Sequence, residues 1–239
     1  MEFRIFKPRL AGATMVDRLV ACCGAAICLA LTIVVCSQIP LAGADLPIIV
    51  APLGASAVLV FAIPASPLAQ PWPVVGGNVI STLIGVATFH LIPDPTIAAG
   101  LAVGAAILGM SLLRCLHPPG GAAALTAVIG SQGIHAAGYS FAFAPVGINS
   151  IALVSLAMFF HRATGHSYPH QPAVVPETVQ ATLIETGLHL EDIDNALAES
   201  PDAFDISRED LDILLSRAEH HAARRRAAPA TIGKTIPVE

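Results

Sequence analysis

Cys115-Leu116-His117-Pro118-Pro119-Gly120-Gly121-Ala122-Ala123-Ala124-Leu125 lies inside a long apolar region, yet it sets a histidine, two prolines and two glycines in a row. A helix buried throughout its length would not choose that composition. Proline removes a backbone donor and clashes with the preceding turn, and glycine costs about 1 kcal/mol against alanine in a helix interior. Proline is at home at the first position of a helix, where its missing N–H is not needed. The stretch therefore predicts a helix that starts inside an apolar body.

The rest of the chain supports such a body. Its 239 residues are 54% hydrophobic and 12% charged, with a mean hydropathy of +0.71, whereas soluble domains carry about 25% charged residues. Between Leu19 and Phe160 the only Asp, Glu, Lys or Arg residues are Asp45, Asp94 and Arg114, while 12 of the 17 acidic residues lie between Glu177 and Glu219. The chain divides into a cytoplasmic N-terminal segment (1–18), a transmembrane domain (19–162), a proline-rich linker (163–176) and an acidic helical cytoplasmic tail (177–239). The expected environment is a lipid bilayer. The net charge of −5 comes from the tail and gives no ground for nucleic acid as a partner. Arg4, Lys7, Arg9 and Arg18 precede an apolar run without a clear cleavage site, which suits a first spanning helix better than a signal peptide, with this end in the cytoplasm. Cys22, Cys23, Cys28, Cys36 and Cys115 all fall in apolar segments without CxxC spacing and read as small packing residues.

Six apolar segments follow one another: Leu19–Ser37, Ile48–Ile63, Val74–Ile92, Ile97–Leu113, the opening stretch to about Ile134, and Pro145–Phe160. The second is 16 residues long and broken by Pro52 and Gly54; at ~1.5 Å per residue it reaches about 24 Å, short of a ~30 Å bilayer core. Pro52-Leu53-Gly54-Ala55-Ser56-Ala57-Val58-Leu59 aligns with Pro118-Pro119-Gly120-Gly121-Ala122-Ala123-Ala124-Leu125 at an offset of 66, and Gly76-Gly77-Asn78 echoes Gly147-Ile148-Asn149 at an offset of 71. The order long, short-broken, long occurs twice. If both short segments cross, the two units are inverted, and Arg114, His117 and Arg162 lie inside with Asp45 and Asp94 outside. If both are re-entrant, Arg114 falls outside. The excess of Lys and Arg on cytoplasmic loops favours six crossings. The expected fold is thus an all-α polytopic membrane protein of two inverted three-segment repeats with short broken helices. In the tail, Glu177–Leu188 and Glu191–Glu199 read as amphipathic helices, and Ser207-Arg208-Glu209-Asp210 as the start of another.

At these residues the chain resembles the HPP family of integral membrane proteins, named for the motif seen here as His117-Pro118-Pro119. Ala51–Ser56, Pro64–Pro71 and Gly76-Gly77-Asn78 also resemble that family, and the likeness spans roughly Arg18 to Thr164. It implies a bacterial inner (plasma) membrane protein with both termini cytoplasmic. Plant chloroplast members are linked to nitrite transport, and many bacterial members continue into a pair of nucleotide-binding CBS domains. Glu177–Arg226 resembles the linker before that pair, so no nucleotide-sensing module is expected here.

Paired broken segments in corresponding halves of a membrane protein point to a transport site near the midplane. A helix that begins inside the membrane offers backbone N–H groups without intrahelical partners and the positive end of its dipole, which suits a small anion. The candidate binding residues are Pro52, Gly54, Ala55 and Ser56 in the first unit and His117, Pro118, Pro119, Gly120 and Gly121 in the second, with Asn78 and Asn149 recurring in both. Ser81 and Thr126 are further polar candidates. The competing reading is that proline and glycine only kink tightly packed helices, and that Asn serves helix–helix hydrogen bonds. His117 could hold the anion, carry a proton, or cap a helix end. His161, His166 and His170 have no accompanying Cys or carboxylate, so neither a metal nor a cofactor is expected. No Walker loop, HExxH or GxGxxG sequence is present, and no enzyme is expected. The leading function is a transporter or channel for a small inorganic anion such as nitrite, in which bulky residues at Gly54 and Gly120 would stop flux. The alternative is a membrane scaffold or sensor whose acidic tail binds a cytoplasmic protein. A homo-oligomer is compatible with either.

Overall fold

The computed structural model describes residues 15–39, 46–172, 190–199 and 205–227. They form two compact units that divide between Gln171 and Pro172. In the first unit α1 (Met15–Ser37), α3 (Pro71–Leu91), α4 (Pro95–Leu112) and the span Ala142–Ala163 are long and apolar enough to cross a membrane, and α2 (Pro52–Ala62) and α5 (Pro119–Ile129) are shorter apolar helices. A six-residue α6 (Gln132–Ala137) follows α5. The last span is a wide turn over Ala142–Gly147 that leads into α7 (Ile148–Ala163). The described residues contain no strand.

Proline sets several of these boundaries. It stands in the first turn of α2, α3, α4 and α5, where a missing N–H costs nothing. Hence α3 starts at Pro71 rather than at Val74, and α2 starts at Pro52 rather than at Ile48, which leaves residues 46–50 non-helical. The Asp94 side chain accepts from the N–H groups of Thr96 and Ile97, both at 2.9 Å, as a good N-cap does. At its other end α4 stops on Arg114, which has φ +52 and is followed by Cys115 N–H bonded to the Met110 carbonyl at 2.9 Å. That is the left-handed stop usually given to glycine, and an L-residue there costs roughly 1 kcal/mol.

Contacts between helices give their directions. Gly24 of α1 lies against Phe160, and the Cys28 thiol reaches the Leu156 carbonyl, so α1 and α7 are antiparallel. Trp72 Nε1 donates to the Leu113 carbonyl at 3.2 Å while Gly109 lies against Ile84, so α3 and α4 are antiparallel. Gly77 meets Cys115 and His117, and Gly85 meets Ala124, so α3 and α5 run together. Asn149 binds Val50 and His161 binds Val60, so α2 and α7 also run together. One end of the bundle therefore gathers Met15, the turn after α2, Leu113 and Ala163. The opposite end gathers Ser37, the Leu91–Pro95 turn and Ile129.

Two apolar clusters hold the bundle. One centres on Leu53, Val60, Phe61, Phe141 and Leu153, the other on Ala98, Ala102, Ala106, Met110 and Ala124. Large apolar side chains such as Leu19, Leu101, Leu108, Ile151 and Phe159 face outward, as lipid-facing residues do.

The turn between α2 and α3 is held on several sides. Gln70 Nε2 donates to the carbonyls of Pro64 (2.9 Å) and Ser66 (2.8 Å), and Gln70 Oε1 accepts the His170 N–H at 2.8 Å. The Tyr168 hydroxyl donates to the Ala69 carbonyl at 2.8 Å, and burial raises its phenol above the ordinary range, so it stays a neutral donor.

In the second unit α8 (Leu190–Glu199) and α9 (Arg208–Ala227) are described, and the segment Glu177–Leu188 lies outside the described residues. Ser207 Oγ accepts the Asp210 N–H at 3.1 Å, as the sequence predicts for a helix start. Arg208 pairs with Asp194 across the two helices, and its hydrogen bond holds that carboxyl below the usual carboxylate range.

Candidate functional site

The broken helices α2 and α5 pass each other in opposite directions. Ser56, one turn into α2, meets His117, just before α5, with Oγ and Nε2 2.8 Å apart. Pro52 lies across from Ala123 and Thr126. His117 is fully buried, and its Nδ1 lies 2.8 Å from the Leu68 carbonyl in the turn described above. Asn78 Nδ2 donates to Ser56 Oγ at 3.2 Å and to Ser150 Oγ at 3.3 Å. Side chains from four segments thus meet in one buried polar cluster, joined by the Leu68 carbonyl, with no carboxylate, lysine or arginine among its members.

Two oxygens at this cluster have no partner among the described residues. They are Asn78 Oδ1 and Ser81 Oγ, one turn apart on α3. A Cβ added to Gly120, in the first turn of α5, would stand 2.7 Å from Ser81 Oγ, 2.8 Å from Met110 Sδ and 2.9 Å from the Gly77 carbonyl. Only glycine lets α5 come this close to α3. Unpaired buried polar atoms are uncommon and each asks for an explanation.

The backbone at the two helix starts differs from the sequence expectation of free donors. The N–H groups of Leu53 and Gly54 bond to the carbonyls of Val50 and Ala51 (both 3.0 Å), and those of Gly120 and Gly121 to His117 (2.8 Å) and Pro118 (3.1 Å). Ala51 and Pro118 already have helical angles, so each helix opens with a tight i→i+3 turn that uses these donors. The gap lined by Val50, Pro52, Ala123, Thr126, Phe141 and Val146 has no room for a water molecule. Ser56, Asn78, Ser81 and His117 are all buried, so the site is closed in this conformation.

Of the residues singled out from sequence, Ser56, Asn78, His117 and Gly120 come together, and Pro52 and Pro119 are buried at the crossing. Gly54, Ala55 and Pro118 are exposed, and Gly121 is half-buried. Nothing lies within 4 Å of where a Gly54 side chain would start. Asn149 spends both ends of its amide on backbone, with Oδ1 accepting the Val50 N–H at 3.1 Å and Nδ2 donating to the Ile48 carbonyl at 3.0 Å. It anchors the non-helical approach to α2. Ser150 and the Leu68 carbonyl were missed. The Asn149-Ser150 pair offered a weak signal for the first, and a backbone carbonyl leaves none.

A bundle of long apolar helices with an outward apolar surface and a buried, uncharged polar centre defines a multi-pass membrane protein. Residues 11–169 match the family described as HPP, transmembrane region, and the chain belongs to that family. It is similar to two transmembrane proteins of Dictyostelium discoideum. One is 38% identical over 120 residues, covering 48% of this chain and 38% of the relative. The other is 34% identical over 131 residues, covering 53% and 46%. The chain thus spans less than half the length of these relatives. No solved structure matches it.

Proposed function

We propose that this protein is a transporter for a small inorganic anion such as nitrite, built from two inverted three-segment repeats in a bacterial plasma membrane. The helix directions support the inversion. Each unit reads long, short, long; α1 packs antiparallel on the last helix of the second unit, and α4 packs antiparallel on the last helix of the first. Each last helix also runs beside the other unit's broken helix. Arg18, Arg114 and Arg162 fall at one end of the bundle and Asp94 at the other, which supports a cytoplasmic side for the arginine end.

The observation that carries the reading is Ser81 Oγ: buried, without a partner among the described residues, and beside the first turn of the broken helix α5. A hydroxyl with a free hydrogen beside a helix N-terminus and its positive dipole end suits a small anion. Because the site is closed as described, transport requires α2 and α5 to part, admitting the anion from one side at a time. Purified protein in liposomes should take up nitrite faster than protein-free vesicles. If nitrite, nitrate and chloride all enter no faster than through lipid alone, the reading fails.

A second reading, a membrane scaffold acting through its tail, is favoured by the exposure of Leu214 and Leu215 on helix α9. It predicts capture of a cytoplasmic protein by the tail and no anion flux.

A further inference from the structure

The hydrogen bonds around His117 fix the position of its protons. The Leu68 carbonyl can only accept, so Nδ1 carries a hydrogen and donates to it at 2.8 Å. In neutral imidazole Nε2 is then a lone pair, and the Ser56 hydroxyl donates to it at 2.8 Å. That hydroxyl has a second acceptor within reach, the Pro52 carbonyl at 3.3 Å. If Nε2 gains a proton it donates to Ser56 Oγ, and the Ser56 hydrogen turns to Pro52. Both charge states keep the pair satisfied, and a single hydroxyl hydrogen changes direction. A histidine placed only to tie two helices together needs one of these arrangements, not both.

The surroundings decide what a proton there implies. The groups that face His117 are Ser56 from α2, the Leu68 carbonyl from the following turn and Gly77 from α3, with Asn78 reached through Ser56. None of these groups is a carboxylate, lysine or arginine. Among the described residues an imidazolium here has no counter-ion, and an anion beside α5 has no cation. Either charge alone is expensive to bury, whereas the two together are neutral.

Asn78 links the two events. Its amide donates to Ser56 and Ser150 and leaves Oδ1 bare, an acceptor that repels an anion. Turned over, the same amide would accept the Ser56 hydrogen in place of the Pro52 carbonyl, and that of Ser150 in place of the Val146 carbonyl, and would present its NH2 group where the oxygen stood. The Ser56 hydrogen is free to support that orientation only after His117 Nε2 has taken a proton.

Building on the anion-transport reading, we propose that His117 is the proton-binding residue of an electroneutral symporter. It takes one proton at Nε2 from water on one side with each anion bound at Ser81 and Asn78, and returns it to water on the other side with the anion's release. The two helices that part are the two that His117 and Ser56 join, so proton, anion and opening act on the same contact.

The test uses the full chain in liposomes with nitrite as the probe, subtracting protein-free vesicles. A pH dye reports internal protons, and a potassium gradient with valinomycin imposes a potential. The expected result is nitrite uptake with one proton per nitrite, unchanged by the potential. An inward gradient of one pH unit should support about tenfold accumulation, the ratio that one proton per anion allows. Uptake that follows the potential and ignores the pH gradient overturns the symport and leaves anion transport standing. No uptake above protein-free vesicles removes both. His117→Gln keeps a donor and an acceptor but binds no proton; it should lose the pH-driven component at least tenfold, and full proton-coupled uptake in that variant overturns the assignment. The wild-type measurements decide the matter even if the variant does not fold.

Discussion

The starts of α2 and α5 share an offset, a proline and a glycine, yet they are built differently. At α5 the glycine is wedged against Ser81, Met110 and the Gly77 carbonyl, while at α2 the matching Gly54 faces open space. The approach to α2 is held by a side chain, Asn149, that grips two backbone groups. The approach to α5 is held by the His117 ring, which spans the Leu68 carbonyl and Ser56. One start is tied loosely by an amide that bears no charge, the other tightly by a group that can. Equal sequence motifs in two repeats therefore need not make two equal helix starts, and here the titratable side chain stands at the second.

Substitution at the two glycines should separate the starts most strongly. Gly120→Leu forces a side chain into a filled space and should destabilise the bundle by on the order of 3 kcal/mol, the upper part of the usual overpacking range. Gly54→Leu should leave the melting of detergent-purified protein the same or slightly raised, since leucine is the better helix former by up to about 1 kcal/mol. The structure thereby parts two residues that the sequence treats alike: uptake should survive at Gly54 and vanish at Gly120. Next in size, Asn149→Ala strands the buried Val50 N–H and should cost about 2 kcal/mol. Asn78→Ala should cost less, because both its serine partners retain carbonyls to bond, but it should abolish uptake, and an Asn78 variant with normal uptake would remove the asymmetry of function. Arg114→Gly relieves the left-handed stop before α5 and should gain about 1 kcal/mol in thermal stability. The smallest effect expected on folding is Ser81→Ala, within about 0.5 kcal/mol because it breaks no bond, while nitrite uptake should fall sharply.

The four long helices and the two short ones were legible in the residues because apolar run length acts locally, but the prolines that open α3 and α4 lie just before the starts read at Val74 and Ile97. The non-helical stretch before α2 was not legible, since it depends on Asn149 about a hundred positions away. His117 and Ser56 could be named as candidates, but their contact could not, because it arises only when antiparallel broken helices overlap by a turn. The free N–H donors inferred at both starts were mistaken for a local reason: Ala51 and Pro118 adopt helical angles and close the first turn themselves. One correspondence was present and passed over: Phe89-His90 and Phe160-His161 repeat at the same offset of 71 as Asn78 and Asn149.

The turn between α2 and α3 has a practical meaning for anyone who would engineer this chain. Tyr168 and His170, the last residues before the break at Gln171, are fastened to Ala69 and Gln70, immediate neighbours of the Leu68 carbonyl that orients His117. A fusion, deletion or spacer placed between Ala163 and His170 has its slack taken up at that turn, so the imidazole feels a change of chain length made far from it in sequence. A tag joined beyond Gln171 avoids that coupling.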